Sequence, residues 1–211
     1  MKFNKEQVQT LQDIISARRD VRGNNFLDKQ IPKEDLEKIL ESAMHAPSVG
    51  YSQPWKFVVI DDENIKKEIR ENFDVENEKA KQIFKDKSIY KELKLEGIKE
   101  APINIAVFYE EPNEPTIGMT SIEKMGEFSV VCAVENMWLM ARALDIGMGW
   151  ISIIDELKVK QTLNAPKNHR LIAYLALGYV DKFYDEPELK TAKWKDEKSL
   201  QECLINNKWT N

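Results

Sequence analysis

Four short apolar runs constrain the fold of this chain more than any other feature. Trp55 to Ile60, Ile103 to Tyr109, Met148 to Ile154 and Leu171 to Val180 carry almost no charge and are bounded by polar stretches. Runs of that length, rich in β-branched and aromatic residues, predict buried strands rather than helices. Long helical stretches separate them without a regular βαβ alternation, which points to an α+β fold.

The helical stretches follow from spacing. Val8, Leu11, Ile14 and Ile15 recur at helical intervals and predict a first helix ending just before Arg18. Pro32 followed by Lys33, Glu34 and Asp35 opens a second, with Leu36, Ile39, Leu40 and Ala43 on its inner face. From Glu63 to about Glu100 the sequence is helical and heavily charged, with sparse apolar positions at Ile65, Ile69, Phe73, Ile83 and Phe84. That pattern suits either a mobile cover over a site or a plain solvated helix pair. Glu127 to Asp145 is apolar almost all round and predicts a helix enclosed centrally or across a subunit interface, capped by Gly147. A short helix is expected near Lys158 to Leu163. After Asp181 the chain turns polar but carries Phe183, Tyr184, Trp194 and Trp209, so this tail is expected to pack on a partner subunit. No linker or repeat divides the chain, and 1–211 is expected to be one domain with residues from about 181 as an extension.

Several function classes are disfavoured. The net charge is −5 and no basic stripe with interleaved aromatics occurs, which argues against nucleic acid. The longest apolar stretch, Phe128 to Leu144, is broken by Glu135, Asn136 and Arg142 and is no membrane span. Met1 to Thr10 is polar without an apolar leader core, so the cytoplasm is the expected location. Cys132 and Cys203 stand far apart, as do His45 and His169, and none has ligand spacing; no metal is expected.

The chemistry concentrates in three segments. Arg18, Arg19 and Arg22 surround Asp20 and Val21. Three guanidiniums within five residues can form an anion site, or simply a basic helix end. An acid among them either neutralises the cluster or has a task of its own. His45 to Trp55 is a loop with two prolines and a glycine, and Gly147 to Ser152 (GMGWIS) is a glycine-containing strand.

Taken together, these segments resemble the flavin-binding nitroreductase superfamily, in which an Arg-Arg-Ser-x-Arg motif is followed by a Pro-Ser loop ending in Gln-Pro-Trp and then a Gly-rich strand. RRDVR, APSVGYSQPW and GMGWIS stand in that order here. HAPSVGYSQPWKFV, YKELKLEGIKEAPINIAVF, FSVVCAVENMWLMARALDIGMGWISI and LALGYVDKFYDEPEL are closer to the BluB-like branch of 5,6-dimethylbenzimidazole synthases.

The resemblance implies a mixed, mostly antiparallel sheet of four to five strands flanked by helices, in an intertwined homodimer with shared FMN sites. It implies that reduced FMN is a substrate, fragmented with O2 to 5,6-dimethylbenzimidazole. An alternative is an NAD(P)H-dependent nitroreductase or quinone reductase that keeps its FMN, and NAD(P)H is a possible flavin reductant in either case. Asp20, which stands where most of the superfamily has Ser, and Ser152 are the implied catalytic pair. Arg18, Arg19, Val21, Arg22, Gly149, Trp150 and Ile151 are implied to bind FMN, with Gly149 letting the backbone approach the ring. Pro47, Ser48, Val49 and Gln53 are implied to come from the partner subunit. Leu93, Lys94 and Leu95 belong to the implied cover, and Lys195 stands where the superfamily places a basic residue near the phosphate.

Overall fold

The computed structural model describes residues 1–209. Its helices are α1 (Lys5–Ala17), α2 (Lys33–Met44), α3 (Glu63–Ile83), α4 (Met125–Ala143), α5 (Glu156–Thr162), α6 (Glu188–Thr191) and α7 (Leu200–Cys203). Its strands are β1 (Trp55–Ile60), β2 (Ile103–Glu110), β3 (Ile146–Ile151) and β4 (His169–Tyr179). They form one sheet in the order β1-β2-β4-β3, with every neighbouring pair antiparallel. A single parallel bridge between Asp20 and Met148 lays the arginine segment along the outer edge of β3. The fold is therefore α+β with a mixed, mostly antiparallel sheet.

Helices cover both faces of this sheet, which is why its strands read as continuous apolar runs rather than alternating ones. On one face, Ile105, Val107, Met148 and Leu175 pack against Ile39 and Ala43 of α2 and Val130, Ala133, Val134 and Met137 of α4. On the other, Ala106, Phe108, Ile151 and Tyr174 meet Ile69 and Phe73 of α3 and Val159 of α5.

Two expectations need correction. Helix α4 ends at Ala143, and Asp145, not Gly147, takes the left-handed turn that stops it, at φ 55°. A short polar side chain tolerates that conformation, and Arg142 Nη1 bonds Asp145 Oδ1 at 2.7 Å. The chain thus re-enters the sheet at once, and Gly147 lies inside β3. Second, the charged stretch is one helix, α3, up to Ile83. Residues 84–102 are irregular apart from a 3-10 turn at Ser88–Lys91. Within its own chain α4 is covered on one side: Phe128 is 49% and Val131 40% exposed, and Cys132 is exposed beside them, so it is not enclosed centrally. Helix α1 buries no residue at all, leaving Val8, Leu11 and Ile15 uncovered.

Candidate active site

Asp20 sits where the arginine segment meets β3. The Val21 N–H donates to Met148 O at 3.0 Å, so the backbone of this segment is fixed to the strand edge. Asp20 Oδ1 accepts from the Trp150 N–H at 3.1 Å, and Arg22 Nη2 pairs with Asp20 Oδ2. Arg22 Nη1 donates to Trp150 O at 3.2 Å. Carboxylate and guanidinium therefore grip both ends of one residue's backbone, forming a closed clip around Trp150.

The glycines of β3 make this clip possible. A Cβ on Gly149 would lie 2.1 Å from Val21 O, and one on Gly147 would lie 2.5 Å from Val180 Cγ1. Gly149 is thus required for approach of the arginine segment. Val21 is buried beside Gly147, and Ile151 is buried in the core, so neither side chain reaches the site.

A cavity of about 140 Å³ opens beside the clip. Its walls are Arg19, Asp20 and Arg22, then Leu93, Lys94 and Leu95 of the irregular segment, then Tyr184 and residues 186–189 of the tail. The Asp20 side chain is 38% exposed, yet burial by the surrounding protein pushes its pKa above the ordinary value of 3.8. Arg22, the Trp150 N–H and Arg18 pull the other way without reversing the shift. A carboxyl poised in that way can exchange a proton with a neighbour in the cavity. Ser152 lies just beyond β3, exposed and two residues from Trp150.

The three arginines have separate occupations. Arg19 Nε donates to Tyr184 O at 2.9 Å, its Nη2 donates to Asp185 O, and its Nη1 donates to Ser16 O and Arg18 O. Its fork meets main-chain carbonyls and so latches the tail at the cavity wall. Arg22 is held in the clip. The Arg18 guanidinium stacks over the Trp138 ring, 4.8 Å from its centroid, and is the most available of the three for an anion. Lys195 is exposed in the tail and does not line the cavity.

The cover and the tail support one another. Phe84 and Tyr90 stack at 4.9 Å, and Trp194 packs on both at 5.4 and 6.1 Å. Glu96, almost fully buried, is bonded by Arg70 Nη1 at 2.9 Å and the Ile98 N–H at 2.9 Å. The Gly23 N–H donates to Glu96 O at 2.8 Å, which ties the cover to the end of the arginine segment. Phe183 lies beneath Arg142, and the Tyr184 hydroxyl meets Asn25 Oδ1 at 3.3 Å. Phe183, Tyr184 and Trp194, expected on a partner, thus have contacts within their own chain, whereas Trp209 is 79% exposed. Pro187, Glu188 and Leu189 were given no role by the sequence reading; their only signal was the DEPEL stretch within the branch resemblance.

The Pro-Ser loop is elsewhere. The Val49 N–H donates to Ser129 Oγ at 3.1 Å, and the Gln53 N–H donates to Ser48 Oγ at 3.1 Å. Gly50, Tyr51 and Gln53 all have positive φ, a costly backbone for the two non-glycine residues. Ser129 lies near the start of α4, whereas the Trp138 Nε1–H donates to Arg19 O at 3.1 Å. Nine helical residues separate the two attachments, roughly 13 Å along the axis. Pro47, Ser48, Val49 and Gln53 therefore do not join Asp20 within one chain.

Comparison with known proteins agrees with this architecture. The model of the Nitroreductase family matches residues 15–179. A 5,6-dimethylbenzimidazole synthase of Rhodospirillum rubrum is 35% identical over 189 residues, covering 88% of this chain and 89% of the relative. A BluB-like flavoprotein from Clostridium difficile 630 superimposes with a TM-score of 0.70 at 23% identity, over 94% of this chain and 99% of that one. An iodotyrosine deiodinase bound to FMN and 3-iodo-L-tyrosine gives a TM-score of 0.71 at 24% identity, over 95% of this chain and 100% of the other. With the family model spanning the arginine segment, the Pro-Ser loop and the whole sheet, this chain belongs to the nitroreductase family.

Proposed function

We propose that this protein is a 5,6-dimethylbenzimidazole synthase, which fragments reduced FMN with O2 and uses Asp20 to move protons at the ring. The observation that carries the reading is the carboxyl of Asp20: oriented by the Trp150 N–H, raised in pKa by burial, and open to a cavity under a cover. The similarity to the Rhodospirillum rubrum synthase over most of both chains supports the choice of reaction.

The residues fit FMN if two copies share the site. The cavity beside the clip is about 140 Å³, and a second, more open one of about 330 Å³ shares Tyr184, Glu186 and Glu188 with it. The Pro47–Gln53 loop lies at the far end of α4, and exposed Phe128 and Val131 supply an apolar surface between the two ends. A two-fold pairing that runs α4 against its copy would bring the loop of one chain to the arginine segment of the other. In such a homodimer Arg18 would meet an anionic part of FMN, and Leu93, Leu95 and Pro187 would wall the ring and exclude water. When bound and reduced, FMN supplies the electrons for O2 and the carbon skeleton of the product. Asp20 would take and return the protons, with Ser152 as a neighbouring hydroxyl.

Mixing the protein with reduced FMN in air and analysing the products by mass spectrometry tests the reading. Appearance of 5,6-dimethylbenzimidazole is expected. Oxidised FMN and peroxide alone would refute it, and sustained NAD(P)H oxidation with a nitro or quinone acceptor would favour the reductase. Asp20→Asn is expected to bind FMN and yield no product. Because the pKa of Asp20 is raised in the fold, its ionised form costs stability at neutral pH, a cost that vanishes below 3.8. Asp20→Asn is thus expected to melt at or above the wild-type temperature, and a lower melting temperature would contradict the sign.

A further inference from the structure

The end of α1 and the start of the arginine segment must be held by something other than α1, because that helix buries no residue. Helix α4 supplies the hold through two side chains one turn apart. The Arg142 Nε–H donates to Ala17 O at 3.1 Å, and the Trp138 Nε1–H donates to Arg19 O at 3.1 Å. Trp138 makes two further contacts with its buried ring. The Arg18 guanidinium lies over it, 4.8 Å from the centroid, and the Trp150 ring packs against it at 6.4 Å. One side chain thus meets the first arginine by its face, the second by its edge, and the strand that carries the clip.

Tryptophan alone combines these contacts, with one edge N–H to donate and the best π face for a cation. Arg18 depends on that face. Unlike those of Arg19 and Arg22, its guanidinium makes no hydrogen bond or ion pair among the described residues. Nor does it wall the cavity beside the clip, which leaves it for a part of the ligand that extends beyond that cavity.

We infer that Trp138 is a positioning residue that holds the Arg18 guanidinium at the phosphate of FMN. This rests on the reading that FMN binds here and that Arg18 meets its anionic part. In oxidised FMN at neutral pH the phosphate is that part, since the ring is uncharged. A guanidinium laid on an aromatic face keeps its fork of donors free and loses little side-chain freedom when the anion arrives. Without the face the cation swings into water, while the neutral part of the ligand keeps its contacts.

Oxidised FMN and riboflavin, which lacks only the phosphate, separate these two parts. Each is titrated into the ligand-free protein and followed by flavin fluorescence. The wild type is expected to favour FMN. Trp138→Leu is expected to reduce that preference by about tenfold, with riboflavin binding within about threefold of wild type. Trp138→Met, whose flexible side chain fills the gap better, serves if the leucine variant does not fold. Trp138→Phe keeps a ring beneath Arg18 and loses the bond to Arg19 O, so most of the preference is expected to remain. Arg18→Met is expected to abolish the preference, and adding Trp138→Leu to it is expected to change FMN binding by less than about twofold. A Trp138→Leu variant that weakens both flavins equally, or that costs as much FMN affinity without Arg18 as with it, would overturn the assignment. So would a wild type that does not distinguish the two flavins. The expected preferences in a protein that makes no product would leave the assignment standing and refute only the synthase reading.

Discussion

The two ends of α4 carry the two halves of the expected site and treat them differently. At the Trp138 end, the arginine segment is bonded to β3 by its backbone, clipped by Asp20 and Arg22, and roofed by cover and tail. At the Ser129 end, the Pro-Ser loop is held in a strained turn, with Tyr51, Ile117, Phe128 and Val131 left exposed around it. One end is finished within the chain and offers charge. The other is apolar and open. Such a division suits a site completed by a second copy, because exposed apolar surface next to a shaped loop gains most from burial.

The largest expected effect breaks the finished end. In Gly149→Val the first added carbon would sit 2.1 Å from Val21 O, a main-chain atom fixed to Met148 O, so strand and segment must part. A loss of about 3 kcal/mol, the upper end of ordinary overpacking, is expected in urea denaturation. Gly147→Ala sharpens the comparison. Its Cβ meets only methyl groups of Val180 and Val21, which can shift, so a clearly smaller loss is expected. Equal losses would show that the backbone bond to β3 is not what fixes the segment.

The next largest effect breaks the open end. Phe128→Asp combined with Val131→Asp places two charges on the uncovered face of α4 without touching its buried side. Sedimentation is expected to show a dimer for the wild type and a monomer for the variant, with the helical circular dichroism retained. Product formation is expected to fall by about a hundredfold, the equivalent of about 3 kcal/mol from two apolar side chains no longer buried. A variant that stays dimeric, or a monomer that retains synthesis, would separate the site from this face.

How much of this contrast was legible beforehand depends on the range of the interactions. The strands announced themselves because both sheet faces are covered, and the arginine segment because three cations crowd one acid. The turn at Asp145 was misplaced since a glycine two residues later looked like the better cap, and only β3 shows why Gly147 is needed elsewhere. The protein partners of Arg19, Arg22 and Gly149 (Tyr184, Trp150 and Val21) could not be read beforehand, because they become neighbours only through the sheet edge. Whether α4 is enclosed centrally or across a subunit interface stayed open for the opposite reason. Periodicity shows that a helix is apolar all round, not which side its own chain covers.

A smaller effect separates the cover from the clip. Trp194 joins the tail to Phe84 and Tyr90, with Lys87 Nζ 4.1 Å from its ring. Trp194→Ala is expected to loosen the cover while leaving Asp20 in place. The KM for reduced FMN is expected to rise by about tenfold, the equivalent of about 1.4 kcal/mol, and the ratio of peroxide to product is expected to rise with it. A fall in kcat at unchanged KM would mean that Trp194 acts on the clip instead.

The smallest expected effect is a pH dependence confined to the cover. Burial of Glu100 would raise its pKa, but the Lys94 hydrogen bond at 3.0 Å and the charges of Lys94 and Arg70 outweigh it, so the value is depressed below the ordinary 4.5. A depressed carboxylate contributes stability that is present above 4.5 and is lost as the pH falls through the lower folded value. With both partners 35% exposed the contribution is screened, and less than about 1 kcal/mol is expected. Hydrogen exchange of residues 93–100 is the measure. After correction for the intrinsic pH dependence of exchange, protection is expected to weaken on acidification below 4.5 in the wild type and to be weaker and nearly pH-independent in Glu100→Gln. Global stability in that variant is expected to stay within about 0.5 kcal/mol of wild type, since the change is a surface one. Protection that falls equally in both proteins would mean that the Glu100–Lys94 pair does not carry the acid sensitivity of the cover.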